Sequence, residues 1–259
     1  MRVVRNTLLT LFGLAAIAGL AAWTCPADLG YRLAGGALAP LGLRDLSGSI
    51  WNGHAAHAEL LGTDLGAFDW TLQALPLLHG TLAAHVTLSG TAINASGNVE
   101  RNGTVIDFRD ALLRMPARMA APALAIPALE LLGTIEIEVV RARLHGLLPE
   151  QAAGTARWRN AAVGGAAQAT LGELTATFSS TPDGAIAGTA QDVGGPLELA
   201  ATFRASLGQY EAQARLSARG DNPQLNEALQ YIGQPQADGS RHLEIRGSAF
   251  GLFGSAGGG

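Results

Sequence analysis

His54 and His57, with Asp64 and Asp69 close behind, are the residues whose types and spacing come nearest to chemistry. Two histidines at i and i+3 share a face on a helix and can hold one metal ion there. This segment reads instead as loop or strand, where the same spacing sends the two rings to opposite faces. Surface or turn histidines are the reading it supports. Asp64 and Asp69 beside Trp70 suggest the paired carboxylates of glycoside hydrolysis. Asp64, however, sits in a Thr-Asp-Leu-Gly turn, and no catalytic role is assigned to either acid. Trp51, Trp70 and Trp158 could stack sugars or lipid tails, but buried tryptophans more often anchor β-protein cores, and core anchoring is the expectation here. Cys25 stands alone, which excludes an intrachain disulfide and a cysteine metal cage. The chain has no Gly-x-Ser-x-Gly elbow, phosphate loop, dinucleotide-binding glycine fingerprint or His-Glu-x-x-His. The sequence therefore predicts no enzyme activity, no cofactor and no metal.

The elements that must position these residues centre on Ser47–Trp70, which packs two of the four tryptophans into 24 residues. Its Gly-x-x-Trp-Asn-Gly element consists of Gly48, Trp51, Asn52 and Gly53. A weaker echo runs over Ala153–Leu174. Gly48 and Gly154 are 106 residues apart, Trp51 and Trp158 are 107, and Leu65-Gly66 and Leu171-Gly172 are 106. Such an echo suggests duplicated halves over 45–145 and 146–250, although a chain with 34 glycines aligns some of them by chance.

Alternation of period two dominates from Leu43 onward. Leu82, Ala84, Val86 and Leu88 share one face of Thr81–Ser89, and Tyr210, Ala212, Ala214 and Leu216 share one face of Gln209–Ser217. Leu199, Ala201 and Phe203 repeat the pattern, as do Leu243 and Ile245. Ile135, Ile137 and Val139 do so until Val139-Val140 breaks the rhythm, as a β-bulge does. One-sided strands of this kind suit antiparallel sheets with one face on a core. One segment departs from the pattern. Asp221-Asn222-Pro223 is an N-cap with proline at the first helical position, Leu225, Ala228, Leu229 and Ile232 follow at helical spacing, and Gly233 closes the turn. Met115–Ile126 reads as an apolar loop or broken helix, and 251–259 as a flexible tail.

The N-terminus carries a different signal. Arg2 and Arg5 precede 22 residues, Asn6–Ala27, without a charge. As a helix these span about 33 Å, enough to cross a hydrocarbon core of about 30 Å. No clean Ala-x-Ala site precedes the mature region, and Trp23-Thr24 before Cys25 is too bulky for a lipoprotein cleavage box. An uncleaved anchor is therefore preferred to a cleaved secretory signal, and both export the remainder. The domain plan is a stub and anchor over 1–27, a helical linker over 28–44, a periplasmic β domain over 45–250 and the tail. The fold class is mainly β, a curved and twisted antiparallel sheet after one transmembrane helix, with a short helix near the C-terminus. A net charge of −4 and a sequence pI near 5.8 argue against a nucleic-acid partner, which needs clustered basic surface. All 17 basic residues are arginine.

A single N-terminal anchor followed by Leu-Ser-Gly-Ser-Ile-Trp-Asn-Gly (46–53) and Leu-Gly-x-Phe-x-Trp-x-Leu (65–72) resembles protein N of the type II secretion system. Leu77-Leu78-His79-Gly80, Gly-x-x-x-Trp-x-Asn-Ala at Gly154–Ala161 and the Asn222-Pro223 helix fit the same family. Ser49 stands where that family more often has threonine. The resemblance implies a non-enzymatic accessory protein, single-pass in the inner membrane with its C-terminal domain in the periplasm. Such a protein works through other secretion components in the export of folded proteins across the outer membrane. The motif residues it marks are Gly48, Trp51, Asn52, Gly53, Trp70, Gly80 and Trp158. A broader resemblance, to AsmA-like lipid-handling proteins with apolar grooves, gives the alternative, in which a lipid is the ligand. Inward side chains discriminate between the two: large ones close a core, whereas alanine and glycine leave room.

Overall fold

The computed structural model describes residues 24–38, 41–60, 62–121, 128–146, 148–206 and 209–248. Nearly all of the expected anchor over 6–27, the tail over 251–259 and part of the Met115–Ile126 segment lie outside them. Among the described residues no helix is long and apolar enough to cross a membrane. The chain divides into two compact units, Met1–Gly90 and Thr91–Gly259.

Unit 1 begins with helix α1 (Ala27–Leu38), which runs through Gly35-Gly36 rather than ending there. Strands β1 (Leu41–Gly48), β2 (Asn52–Leu60), β3 (Thr63–Gln73) and β4 (Leu82–Ser89) follow as an antiparallel meander, with a single helical turn, α2 (Ala74–Leu77), between the last two. Its core is small. Leu43, Ala55 and Ala58 are buried, with Tyr31, Phe68, Trp70 and Leu88 packed around them. Tyr31 ties α1 to the sheet, because its hydroxyl accepts from the Leu43 amide at 3.1 Å.

Unit 2 continues the same logic through β5 (Asn94–Asn102), β6 (Val105–Pro116), a 3-10 turn (Ala117–Ala120), β7 (Leu129–His145), β8 (Leu148–Gly165), β9 (Ala169–Ser180), β10 (Ile186–Asp192), β11 (Leu197–Ser206) and β12 (Gln209–Ala218). From β6 to β12 each strand pairs antiparallel with the one before it. Helix α3 (Pro223–Leu229) then intervenes, and the short β13 (Gln234–Pro235) lies outside β14 (Arg241–Ser248), which pairs with β12. The helix starts where its cap predicts, with the Asn222 side chain accepting from the Leu225 amide at 3.0 Å. Its regular part stops at Leu229, and single-turn bonds carry the chain on to Ile232. Leu225, Ala228, Leu229 and Ile232 are buried against Leu129, Leu131, Val163, Leu171, Leu197 and Leu216, which lie near the same end of their strands. One amphipathic helix thus closes the core at that end.

The alternating stretches form the strands they predict, and Val140 is the unpaired residue of a bulge between Val139 and Arg141. The other face of unit 2 carries cross-strand ion pairs. Glu136, only 8% exposed, is held by Arg114 at 2.7 Å and Arg159 at 2.8 Å, on the two neighbouring strands. Opposite charges facing each other across strands favour this register over a slipped one.

Asp192 ends β10 and gathers the next turn. It accepts from the Leu199 amide at 3.0 Å, the Gly194 amide at 3.0 Å and Arg219 at 2.8 Å. Desolvation alone would raise its pKa, but the Leu199 amide, Arg219 and the Gly194 amide together hold it below the ordinary carboxylate value. A carboxylate depressed in the folded state stabilises the fold above its unfolded pKa of about 4. That contribution is lost as pH falls through the folded value. Asp192→Asn should therefore lower the melting temperature at pH 7 and leave it nearly unchanged at the acid end. Thermal unfolding across that range checks it, and an equal loss at all pH values would contradict it.

Candidate functional site

The Gly-x-x-Trp-Asn-Gly element forms the β1–β2 turn. Gly48 takes φ +82°, which a side chain would strain, and a Cβ there would also run into the Asn52 carbonyl. The turn closes with the Ser49 amide donating to the Asn52 carbonyl at 2.9 Å, while the Asn52 amide donates to Ser49 Oγ at 3.1 Å. A serine therefore serves this turn through its hydroxyl as a threonine could. Two further bonds fasten the turn at its sides. The Ile50 amide donates to the Cys25 carbonyl at 3.0 Å, and the Leu72 amide donates to the Trp51 carbonyl at 2.7 Å. Pro26 also bridges to Ser49.

Trp51 and Trp70 are both half-buried, and Trp70 takes up the core role expected of it. Trp51 is half-buried in the turn, whereas Trp70 packs on the buried cluster, stacks on Phe68 with ring centroids 6.1 Å apart, and donates Nε1–H to the Ile50 carbonyl at 3.0 Å. Gly53 does make room for an indole, but for that of Trp70: the two residues face each other across β2 and β3, and any Cβ on Gly53 would lie within the ring. The motif is thus one object, a turn whose carbonyl, glycine and cross-strand tryptophan interlock. Gly80, with φ +75°, ends the loop after α2 in open space.

Trp158 lies on β8 in unit 2, packs against the core and donates Nε1–H to the Leu132 carbonyl at 2.8 Å. Ala161, three residues on, is fully buried opposite Gly172. The two Leu-Gly pairs occupy matching positions. Gly66 and Gly172 take φ +100° and +102°, each opposite a buried alanine (Ala58, Ala161) beside a bulge. In that register Trp158 corresponds to Ala55, which pairs with Phe68 as Trp158 pairs with Leu174. The tryptophan match and the Leu-Gly match therefore describe different alignments.

The histidines and acids also depart from expectation. Both histidines lie on β2, and the bulge between Ala55 and Ala58 resets the side-chain parity. Ala55 and Ala58 both point inward, and His54 and His57 are both exposed rather than on opposite faces. Each pairs with its own acid, His54 with Asp69 at 2.7 Å and His57 with Asp64 at 3.1 Å. Asp64 is held below its usual pKa, first by the Gly66 amide and then by His57. Among the described residues no three histidine, cysteine, aspartate or glutamate side chains gather as metal ligands.

Unit 2 holds a cavity of about 380 Å³. Ala176, Ala201, Ala212 and Ala214 line its middle, and Leu229 and Ile232 of α3 wall one end. This is the size of a small-ligand site. No carboxylate, histidine or cysteine lines it, so it offers apolar burial rather than acid–base chemistry. Beyond it, aromatic rings lie over glycines of paired strands: Phe178 over Gly154, Phe203 over Gly188, Tyr210 over Gly247. The glycines of these strands were legible only as interruptions of the alternation. Their aromatic partners are distant in sequence, and no local signal marks them.

The family model described as type II secretion system (T2SS), protein N, matches residues 39–244. Type II secretion system protein N of Vibrio cholerae serotype O1 (strain ATCC 39315 / El Tor Inaba N16961) is 29% identical over 212 residues, which cover 77% of this chain and 81% of the relative. No solved structure matches the chain.

Proposed function

We propose that this chain, which belongs to the type II secretion system protein N family, is an accessory component of that machine seated in the inner membrane. It acts by protein–protein contact in the export of folded proteins and performs no catalysis of its own. The observation that carries the reading is the extent of the family match, 39–244, which takes in β1 and reaches β14. The interlocked turn of Gly48, Trp51, Asn52, Gly53 and Trp70 supports it, because the motif that marks the resemblance is one built object rather than scattered glycines. The lipid-handling alternative is not favoured by that match, although the small inward residues of unit 2 do leave room for a ligand.

The rest of the arrangement is part of the same proposal. The uncharged run expected over 6–27 supplies the anchor, its last residues Cys25–Ala27 being taken up in unit 1, Arg2 and Arg5 stay in the cytoplasm, and residues 28–259 lie in the periplasm, as a positive-inside orientation requires. A reporter active only in the periplasm should be active when fused after Gly259, and a cytoplasm-dependent reporter at the same place should be silent. The opposite pair of results would refute this orientation.

A further inference from the structure

Leu75 and Leu78 are among the most exposed leucines of the described chain, at 76% and 80%. They sit three residues apart, in and just after α2, where β3 leaves the sheet. Scattered exposed leucines need no explanation. These two are adjacent, and their loop, Ala-Leu-Pro-Leu-Leu-His-Gly-Thr over 74–81, contains no acidic residue and no arginine. Their place in unit 1 gives them a specific neighbour. The Leu72 amide is bonded to the Trp51 carbonyl, Ile50 precedes Trp51 in the turn, and the Ile50 amide is bonded to the Cys25 carbonyl. Leu72 and Cys25 therefore lie within about 15 Å of each other, since paired strands are about 5 Å apart. Cys25 falls at the end of the uncharged run Asn6–Ala27. Leu29, in the first turn of α1, adds a third apolar side chain at this end and is 49% exposed. The β2–β3 turn at Gly62, also exposed, lies at the opposite end of the same strands.

We propose that the Leu75–Leu78 loop is a membrane-contacting element, which rests its leucines on the lipid surface beside the point where the anchor enters the bilayer. The occupant of this apolar tip is thus lipid. The described chain begins at Thr24, at this same end, and the sequence before it is uncharged back to Asn6, about the length of a bilayer span. An apolar tip held there reaches the boundary between headgroups and acyl chains, about 5–10 Å deep, where leucines are accepted without a second span. The tip and the anchor then fix the tilt of unit 1, since two separated contacts restrain an orientation that one helix leaves free. This inference rests on the reading of residues 6–27 as an anchor, and its test separates the two.

The full chain, carrying Cys25→Ser, is reconstituted into vesicles of phosphatidylethanolamine and phosphatidylglycerol. An environment-sensitive fluorophore is placed on one new cysteine at a time: Leu14→Cys within the run, Leu78→Cys at the tip, Gly62→Cys at the opposite turn. Lipids with a nitroxide near the headgroup end of the acyl chain, or deeper along it, serve as quenchers. The label at 78 should shift to the blue and lose most of its emission to the shallow quencher, while the label at 14 responds to the deep one and the label at 62 to neither. If 14 is quenched but 78 is not, the anchor stands and this proposal falls. A label at 78 that shifts to the blue without lipid quenching means that protein covers the tip, which also overturns it. Quenching at 62 equal to that at 78 overturns it as non-specific adsorption. An unquenched label at 14 removes the anchor itself, and the proposal with it.

Discussion

Trp70→Ala should cost unit 1 about 3 kcal/mol, the low end for truncating a large core aromatic because its ring is only partly buried. The core it completes has three buried members among the described residues, Leu43, Ala55 and Ala58, so little else can take over its role. The substitution also leaves the Ile50 carbonyl without its indole donor. Gly53→Val should fail by the opposite route, since its side chain must occupy the volume of that ring, and overpacking of this kind costs about 1–3 kcal/mol. Trp51→Ala should cost less than Trp70→Ala, because Trp70 packs on the buried cluster and donates to the Ile50 carbonyl, while the Trp51 carbonyl that serves the turn survives in alanine. Thermal unfolding of the three variants decides this. If Trp51→Ala proves as costly as Trp70→Ala, the assignment of the core role is wrong.

Leu225→Ala should be the most destabilising leucine truncation in unit 2. Leu225 has 0% exposure, anchors α3, which closes the core at one end, and follows directly on the Asn222 cap. A fully enclosed leucine costs about 2–5 kcal/mol to truncate, with the upper end reached where the surroundings cannot collapse into the void. Here the facing strands are fixed by their own ladders, so about 4 kcal/mol is expected. Leu132→Ala, on the same sheet but 46% exposed, should change stability by about 0.5 kcal/mol or less. Urea unfolding midpoints measure both, and similar shifts would mean that α3 does not hold this core.

Much of this architecture could be read before any coordinates. Period-two alternation located the strands at Leu82–Ser89, Leu197–Ser206, Gln209–Ala218 and Arg241–Ser248, because side chains there truly face core and solvent in turn. The capped helix was legible because Asn222 and Pro223 act through local backbone geometry alone. Of the 17 and 18 residues of β7 and β8, only Ile135–Val140 with its bulge was legible in this way, since each strand carries bulges that change which parity points inward. The same cause hid the common face of His54 and His57: alternation counts residues, and a bulge adds one that the count cannot see. That Trp70 fills the space over Gly53 is a matter of cross-strand register, seventeen residues away in the chain, and no local signal marks it. Leu78 was visible only as part of a family motif and Leu75 carried no signal at all, because exposure is a property of the fold around them.

The most direct test of the secretion assignment compares a host strain carrying the native chain with one from which it has been removed, both producing the same type II exoprotein. The account predicts that the exoprotein accumulates folded in the periplasm of the deleted strain and that expression of residues 1–259 returns it to the medium. Full export by the deleted strain, with no periplasmic accumulation, would contradict it.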